Sequence, residues 1–297
     1  MKALTKAYVA LGVVSFVWGT TYVASRVGAQ QMPGFFMAGV RQFLSGVILV
    51  IFFLLRGYRI PEWKVLRNIS VQGIFLLCIA NGGLTWAMEY ISGGLAAIIV
   101  ALVPIFIALF TVWVSKCKRI SRWMIAGLIT GFAGILLIFS DHIGEMKNPN
   151  FLLGIGLSIL SVLSWSYGTV YSSQHRTPIS ILFSVGLQMF IAGIIMLLVC
   201  AVTGKYINLA EAGRESWLAL LYLVVFGSLI AYSAFVFAIS KLPPTLVSVY
   251  AYINPVVAVG LGWLLLSEKL NAIMVTGMLI TLAGVYMVNR EFRNIKR

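Results

Sequence analysis

Acid is the scarcest chemistry in this sequence: eight Asp and Glu stand against 22 Lys and Arg in 297 residues, and charged residues of both signs make up only 10%. A soluble domain carries roughly 25%, so an ordinary water-facing surface is excluded. The eight acids are Glu62, Glu89, Asp141, Glu145, Glu211, Glu215, Glu268 and Glu291, each in a loop or at the end of an apolar run. None lies deep in such a run. Proton pumps and cation antiporters commonly load their ion on a membrane-embedded carboxylate, and the one borderline candidate is Glu89. The two histidines, His142 and His175, lie outside the runs, which weakens a proton relay. Cys78, Cys117 and Cys200 stand at unrelated spacings, giving neither a metal motif nor a disulfide framework. No metal or cofactor is expected. An intramembrane enzyme would need a nucleophile with a base, or a metal cluster, and no such constellation is recognisable.

Apolar sequence is what the chain has: 61% hydrophobic residues and a mean hydropathy of +0.99. Cutting at charges and turn residues gives ten runs, near 7–28, 34–55, 69–89, 93–114, 122–140, 151–173, 179–203, 216–239, 243–266 and 271–289. Each is about the ~20 residues a helix needs to cross hydrocarbon. Backbone amides in lipid must pair within their own segment, and the runs lack the alternation of a barrel. The sequence therefore predicts an all-α integral membrane protein of ten transmembrane helices. The first run resembles a signal peptide after Lys2 and Lys6, but it is long, ends in Arg26 and precedes nine more. It reads as a retained helix.

The formal charge of +14 is topological in its placement. With the N-terminus inside, sixteen basic residues fall on one side: Lys2, Lys6, Arg56, Arg59, Lys64, Arg67, Lys116, Lys118, Arg119, Arg122, Arg176, Lys241, Arg290, Arg293, Lys296 and Arg297. Four fall on the other: Lys147, Lys205, Arg214 and Lys269. This positive-inside bias puts both termini in the cytoplasm and the chain in the plasma membrane. No separate basic face remains for nucleic acid.

An internal repeat organises the chain. Trp18, Gly39, Arg41, Phe43 and Gly46 fall on Trp165, Gly186, Gln188, Phe190 and Gly193 at one offset of 147 residues. Pro104 matches Pro255 at 151, and Gly127 and Gly134 match Gly277 and Gly284 at 150. The halves are residues 1–145 and 146–297. Five spans in each is an odd number, so the second copy enters from the opposite side and the two five-helix repeats are inverted. Many secondary transporters build two access states this way, with the substrate site near the midplane between the halves.

Several residues then become site candidates. In the first span Ser15, Trp18, Gly19, Tyr22 and Arg26 share a helical face, matched in the sixth by Ser158, Trp165, Ser166, Thr169 and Ser173. These faces serve either helix contact through small residues or a cavity. Arg41 lies about two turns inside the second span, at an insertion cost on the order of 2.5 to 3.5 kcal/mol. It either snorkels or pairs with Glu89 or Glu268, or it recognises a substrate carboxylate; Gln188 holds its place in the second copy. Asn81 and Tyr232, deep in the third and eighth spans, are cavity candidates; Trp86 is also a cavity candidate, though with Tyr90 it equally suits an interfacial aromatic belt. Pro104 and Pro255 kink the fourth and ninth spans and free backbone carbonyls, as packing kinks or as hinges. Tyr250 and Asn254 lie beside the second kink. Gly127, Gly131, Gly134, Gly277 and Gly284 mark the fifth and tenth spans as scaffold helices or as the seam of a homodimer.

The residues assembled resemble the EamA family of the drug/metabolite transporter superfamily over nearly the whole chain. The matching features are Trp18-Gly19 with Arg26, Pro33 before Arg41-Gln42-Phe43, the run of Ala87, Tyr90 and Ser92, Pro104, and Asn254-Pro255 followed by Leu266-Ser267-Glu268-Lys269-Leu270. The resemblance implies a ten-helix inverted repeat that moves metabolites, often exporting amino acids, by alternating access. Glu268 matches the acidic position that family members carry after the ninth span, which Lys116-Cys117-Lys118 lacks in the first copy, and Glu268 and Glu89 are the gate candidates. A cavity with aromatics, amides and Arg41 but no buried acid suits a neutral, zwitterionic or anionic small-molecule substrate, and an amino acid satisfies this. The rival expectation is an efflux carrier for aromatic or toxic compounds; a membrane enzyme or a non-transporting sensor stands further off.

Overall fold

The computed structural model describes residues 2–114, 122–141, 144–208, 212–267 and 271–295, and among these it is helical with no strand. Glu268 and the Lys116-Cys117-Lys118 run lie outside the described residues. In chain order the helices are α1 (Lys2–Ala29), α2 (Gly34–Leu55), α3 (Trp63–Ala87), α4 (Gly93–Val100), α5 (Val103–Val114) and α6 (Arg122–Asp141). A 3-10 turn at Glu145–Lys147 leads to α7 (Pro149–Gln174), α8 (Ile181–Thr203), α9 (Arg214–Lys241), α10 (Pro244–Val247), α11 (Tyr250–Leu266) and α12 (Ala272–Ile295).

Seven helical spans among the described residues are long and apolar enough to cross a membrane, α4 and α5 counting together as Gly93–Val114. Three shorter apolar stretches join them, at Ile125–Ile138, Tyr250–Leu266 and Ala272–Val288. Large apolar side chains such as Leu55, Trp113, Leu136, Val202 and Leu264 lie more than 60% exposed, the outward face that lipid tolerates and water does not. This is a multi-pass membrane protein.

Local chemistry sets the helix ends. Ser92 accepts the N–H of Leu95 at 3.1 Å to start α4, and Asn148 accepts that of Asn150 at 2.9 Å, just before Pro149, whose missing N–H costs nothing there. Gly204, with φ +68°, closes α8 in the left-handed conformation that glycine adopts without strain. The third helix begins at Trp63, earlier than the expected 69, because Lys64, Arg67 and Asn68 form a polar first turn that needs no hydrocarbon around it.

Two departures concern α3 and α9. Each turns from α- to π-helix midway, over Ile74–Gly82 and Leu223–Tyr232, at corresponding places in the two copies. The fourth and ninth spans also break ahead of their prolines, not at them. The chain turns at Ala101 and Leu102 before Pro104, and at Ser248 and Val249, six residues before Pro255, which stays inside α11.

The two copies meet through reciprocal contacts. A Cβ on Gly46 would lie 2.3 Å from the amide nitrogen of Phe190, and one on Gly193 would lie 2.4 Å from that of Phe43. Phe43 and Phe190 stack at 5.7 Å between them. Along this seam Gly39 faces Met196 and Gly186 faces Leu49, so partner numbers fall as the others rise and α2 runs antiparallel to its counterpart α8. The glycines of α6 and α12 behave alike: a Cβ on Gly127 would meet the carbonyl of Gly284 at 2.8 Å, and one on Gly277 that of Gly134, also at 2.8 Å. These small-residue faces thus pack on each other within the chain.

Candidate functional site

Between α1, α2, α3, α7, α9 and α11 lies a cavity of about 80 Å³. The sequence candidates Trp18, Tyr22, Arg41, Asn81, Trp165, Tyr232, Tyr250 and Asn254 line it. At the end of the bundle where α2 starts it is lined by Ser25, Thr85 and Met88, all buried. Its floor is aromatic: Trp18, Trp165, Tyr232, Phe235 and Tyr250 bring ring centroids within 5.0 to 6.4 Å of each other, mostly edge-on or tilted. Such pairs prefer these geometries because ring edges are positive and faces negative.

Arg41 is 4% exposed and points across the interface between the copies. Its Nε donates to the Ser228 hydroxyl at 2.8 Å. A hydroxyl, not a carboxylate, is therefore the partner of this buried guanidinium. The π-segment of α9 makes room for it, since a Cβ on Gly227 would come within 2.7 Å of Nη2. The same turn offers the Gly227 carbonyl, which accepts from Trp18 Nε1 at 3.3 Å. A π-turn spaces its carbonyls unlike an α-helix and often sits at functional sites.

The amides divide by role. Gln42 Nε2 donates to Asn81 Oδ1 at 3.1 Å, while Gln42 Oε1, buried beside the cavity, has no partner. Asn254, oriented by its neighbours, donates its amide to the carbonyls of Ser15 at 2.9 Å and Tyr250 at 3.2 Å, tying α11 to α1. Gln188 is fully buried and does not line the cavity; it stands behind Tyr232, whose hydroxyl donates to its Oε1 at 2.5 Å. Thr169 is also fully buried away from the cavity. On the same helix Ser158 and Ser166 donate to carbonyls of their own helix, at 2.9 and 2.7 Å, and Ser166 also reaches the Val103 carbonyl at 3.3 Å, whereas Trp165 on this face lines the cavity.

Trp86 lies in a second, wider depression of about 720 Å³, with Phe35, Glu89, Tyr90, Lys205 and Tyr206. Lys205 Nζ sits over its ring at 4.8 Å, and Trp86 Nε1 donates to the Tyr90 hydroxyl at 3.3 Å. Glu89, two residues beyond the end of α3, accepts the N–H of Gly34, the first residue of α2. It is a helix cap here, favoured by the α2 dipole, and not the counter-ion of Arg41. Burial pushes its carboxyl above the usual range, against the Gly34 N–H, the Tyr90 hydroxyl and Lys205. Arg26 donates to the Met88 carbonyl on the same side. Pro104 and Pro255 are packed inside the bundle and touch the cavity only through neighbours, Val103 and Asn254.

Sequence reasoning missed Thr21, Ser25, Gln42 and Ser161 as cavity residues. For Gln42 the signal was available: an amide beside an arginine inside an apolar run is as costly to place as any polar group there. Among the described residues no group of His, Cys, Asp and Glu could hold a metal ion.

A helical membrane protein with a cavity between two repeats that carries a buried guanidinium and side-chain amides has the build of a membrane transporter. The sequence agrees. The EamA-like transporter family model matches twice, over residues 5–140 and 152–290, and the chain belongs to that family. It is 34% identical to the inner membrane transporter YedA of Escherichia coli over 92% of this chain and 87% of that one. It is 25% identical to the transporter YoaV of Bacillus subtilis over 97% and 99%. A solved crystal structure at 18% identity superposes with a TM-score of 0.69 over 99% of both chains, which supports the fold.

Proposed function

We propose that this chain is a secondary transporter of small organic metabolites, amino acids or related zwitterions, an exporter or facilitator in the plasma membrane. In this reading ten membrane helices form two inverted five-helix repeats, residues 1–145 and 146–297, with both termini in the cytoplasm. The cavity between them alternates its access. The antiparallel packing of α2 on its counterpart α8 supports the inversion.

The observation that carries the substrate class is Arg41. A buried guanidinium held by one hydroxyl has donors to spare, and leaving a buried charge uncompensated is costly. A carboxylate meets the guanidinium fork in two parallel hydrogen bonds. The unpartnered Gln42 Oε1 next to it offers an acceptor to a solute N–H. At roughly 10–15 Å³ for each water-sized position, a cavity of about 80 Å³ suits a solute with about five to eight non-hydrogen atoms, the size of a small amino acid.

Counterflow of labelled amino acids into liposomes holding the purified protein tests this, with and without a pH gradient. Exchange is expected without the gradient, and Arg41→Ala is expected to lower it at least tenfold while eluting as a folded species. Undiminished exchange by that variant overturns the carboxylate reading.

A further inference from the structure

A carbonyl oxygen can only accept a hydrogen bond, and one such oxygen fixes the polarity of a buried chain of three side chains. The backbone carbonyl of His175 accepts from Gln72 Nε2 at 3.0 Å. Gln72 must then present its oxygen to Gln188, whose Nε2 donates to it at 2.9 Å and lies 3.3 Å from the Ser184 hydroxyl. Gln188 in turn presents its oxygen to Tyr232, and the hydroxyl donates to it at 2.5 Å. Neither amide can be turned over without setting oxygen against oxygen. Gln72 and Gln188 are 3% and 0% exposed, so water does not relieve the constraint.

Tyr232 has one hydroxyl hydrogen, and this chain commits it to Gln188. Its oxygen has only lone pairs left to offer. Tyr232 lines the cavity, whereas Gln188 and Gln72 do not. We propose that Tyr232 is the acceptor pole of the binding site, receiving an ammonium of the solute, and that Gln188 and Gln72 are positioning residues that set this polarity from outside the cavity. The inference rests on the reading of Arg41 as the carboxylate pole.

The repeat makes the division of labour visible. Gln188 occupies in the second copy the place of Arg41 in the first, and Tyr232 the place of Asn81. One copy supplies a permanent donor; the other supplies an oxygen whose hydrogen is tied back. A cation beside Tyr232 also meets the aromatic floor, where Trp165 lies 6.4 Å from the Tyr232 ring. Ring faces attract ammonium groups. The assignment therefore selects zwitterions over simple carboxylates, a distinction Arg41 alone does not make.

The test is counterflow with small amino acids, each paired with the acid lacking its amine, such as alanine and propionate, using the full chain in liposomes. The wild type is expected to favour the amine-bearing member at least tenfold in apparent affinity, as a lost hydrogen bond to a charged group costs. Tyr232→Phe is expected to lose most of that preference, read as the ratio of apparent affinities for the two members of each pair. Gln72→Leu touches neither cavity nor solute, yet it is expected to move the preference the same way, because the freed Gln188 amide can turn and Tyr232 can aim its hydrogen inward. A merely structural role for Gln72 would lower both fluxes together and leave the ratio alone, which would overturn its assignment. A folded Tyr232→Phe protein that keeps the wild-type ratio overturns the whole inference, and this variant decides alone if Gln72→Leu does not fold. Should the ratio persist while Arg41→Ala abolishes both fluxes, the acceptor pole falls and the carboxylate reading stands. If no carboxylate moves in the wild type, both fall.

Discussion

Glu89 and Arg41 both looked like charges in need of each other, and the structure separates them. Glu89 closes the first turn of α2 through the Gly34 N–H, while Arg41 reaches Ser228 across the interface. Residue type and depth were legible in the sequence; partner choice was not, because it depends on which helices become neighbours. Gln188 shows the same limit. Its register with Arg41 suggested a lining residue, yet a neighbouring tyrosine takes the cavity wall and leaves the amide behind it. Glu89 also allows a pH test. Since burial raises its carboxyl pKa in the folded state, the folded protein holds this proton more tightly than the unfolded chain. By linkage, stability then increases as pH falls through the raised value toward the ordinary carboxylate value, and levels off below it. Melting temperatures of wild type and Glu89→Gln, compared from about pH 7 down to about pH 4, are expected to shift in favour of the wild type on acidification. Parallel curves would show that Glu89 carries no such linkage.

At the scale of elements, apolar runs and caps gave most of the helices within a few residues, since length and punctuation are local properties. The π-segments of α3 and α9 gave no such sign. Ile74–Gly82 and Leu223–Tyr232 read as ordinary apolar helix, and their altered spacing answers tertiary demands such as seating the Arg41 guanidinium against Gly227. The glycine seams were legible as small-residue pairs, but not as a contact inside one chain. They carry a symmetric prediction. Gly46→Ala and Gly193→Ala each drive a methyl group into the backbone of the opposing helix, at 2.3 and 2.4 Å. Each is expected to destabilise by about 1–3 kcal/mol, the range for overpacked sites. Both substitutions open the same seam between α2 and α8, so the double variant is expected to lose less than the sum. Gly156→Ala is the control, because nothing lies within 4 Å of its Cβ. Replacing an interior helix glycine there is expected to be neutral or stabilising by up to about 1 kcal/mol. Thermal unfolding in one detergent, with the four variants beside the wild type, reads the order directly.

For the whole molecule the question is which side the cavity faces. Ser25, Thr85 and Met88 line its end near the start of α2, and five aromatic rings pack across the opposite end. In the proposed topology, with both termini cytoplasmic, the bias of basic residues puts the floor side toward the cytoplasm. On the proposed topology, the rings are expected to form the cytoplasmic barrier and the Thr85 end to be reached from outside. A carrier with inverted repeats reaches its other state by exchanging the conformations of its halves, and Trp18 and Trp165, equivalent in the repeat, pack edge-on at 5.2 Å in that barrier. A cysteine at Thr85, in a chain otherwise cleared of cysteine, reports on this. A membrane-impermeant thiol reagent is expected to modify Thr85→Cys from outside right-side-out vesicles and to leave it unreacted in inside-out vesicles. Adding Trp18→Ala and Tyr250→Ala removes two rings that touch at 5.0 Å. The floor is then expected to leak, and labelling from the cytoplasmic side to rise several-fold. If Thr85→Cys labels from the cytoplasmic side with the floor intact, then either the orientation is reversed or the rings are not the barrier. Modification of a cysteine placed at Lys6, from that same side, separates the two: it reacts there only if the N-terminus is cytoplasmic.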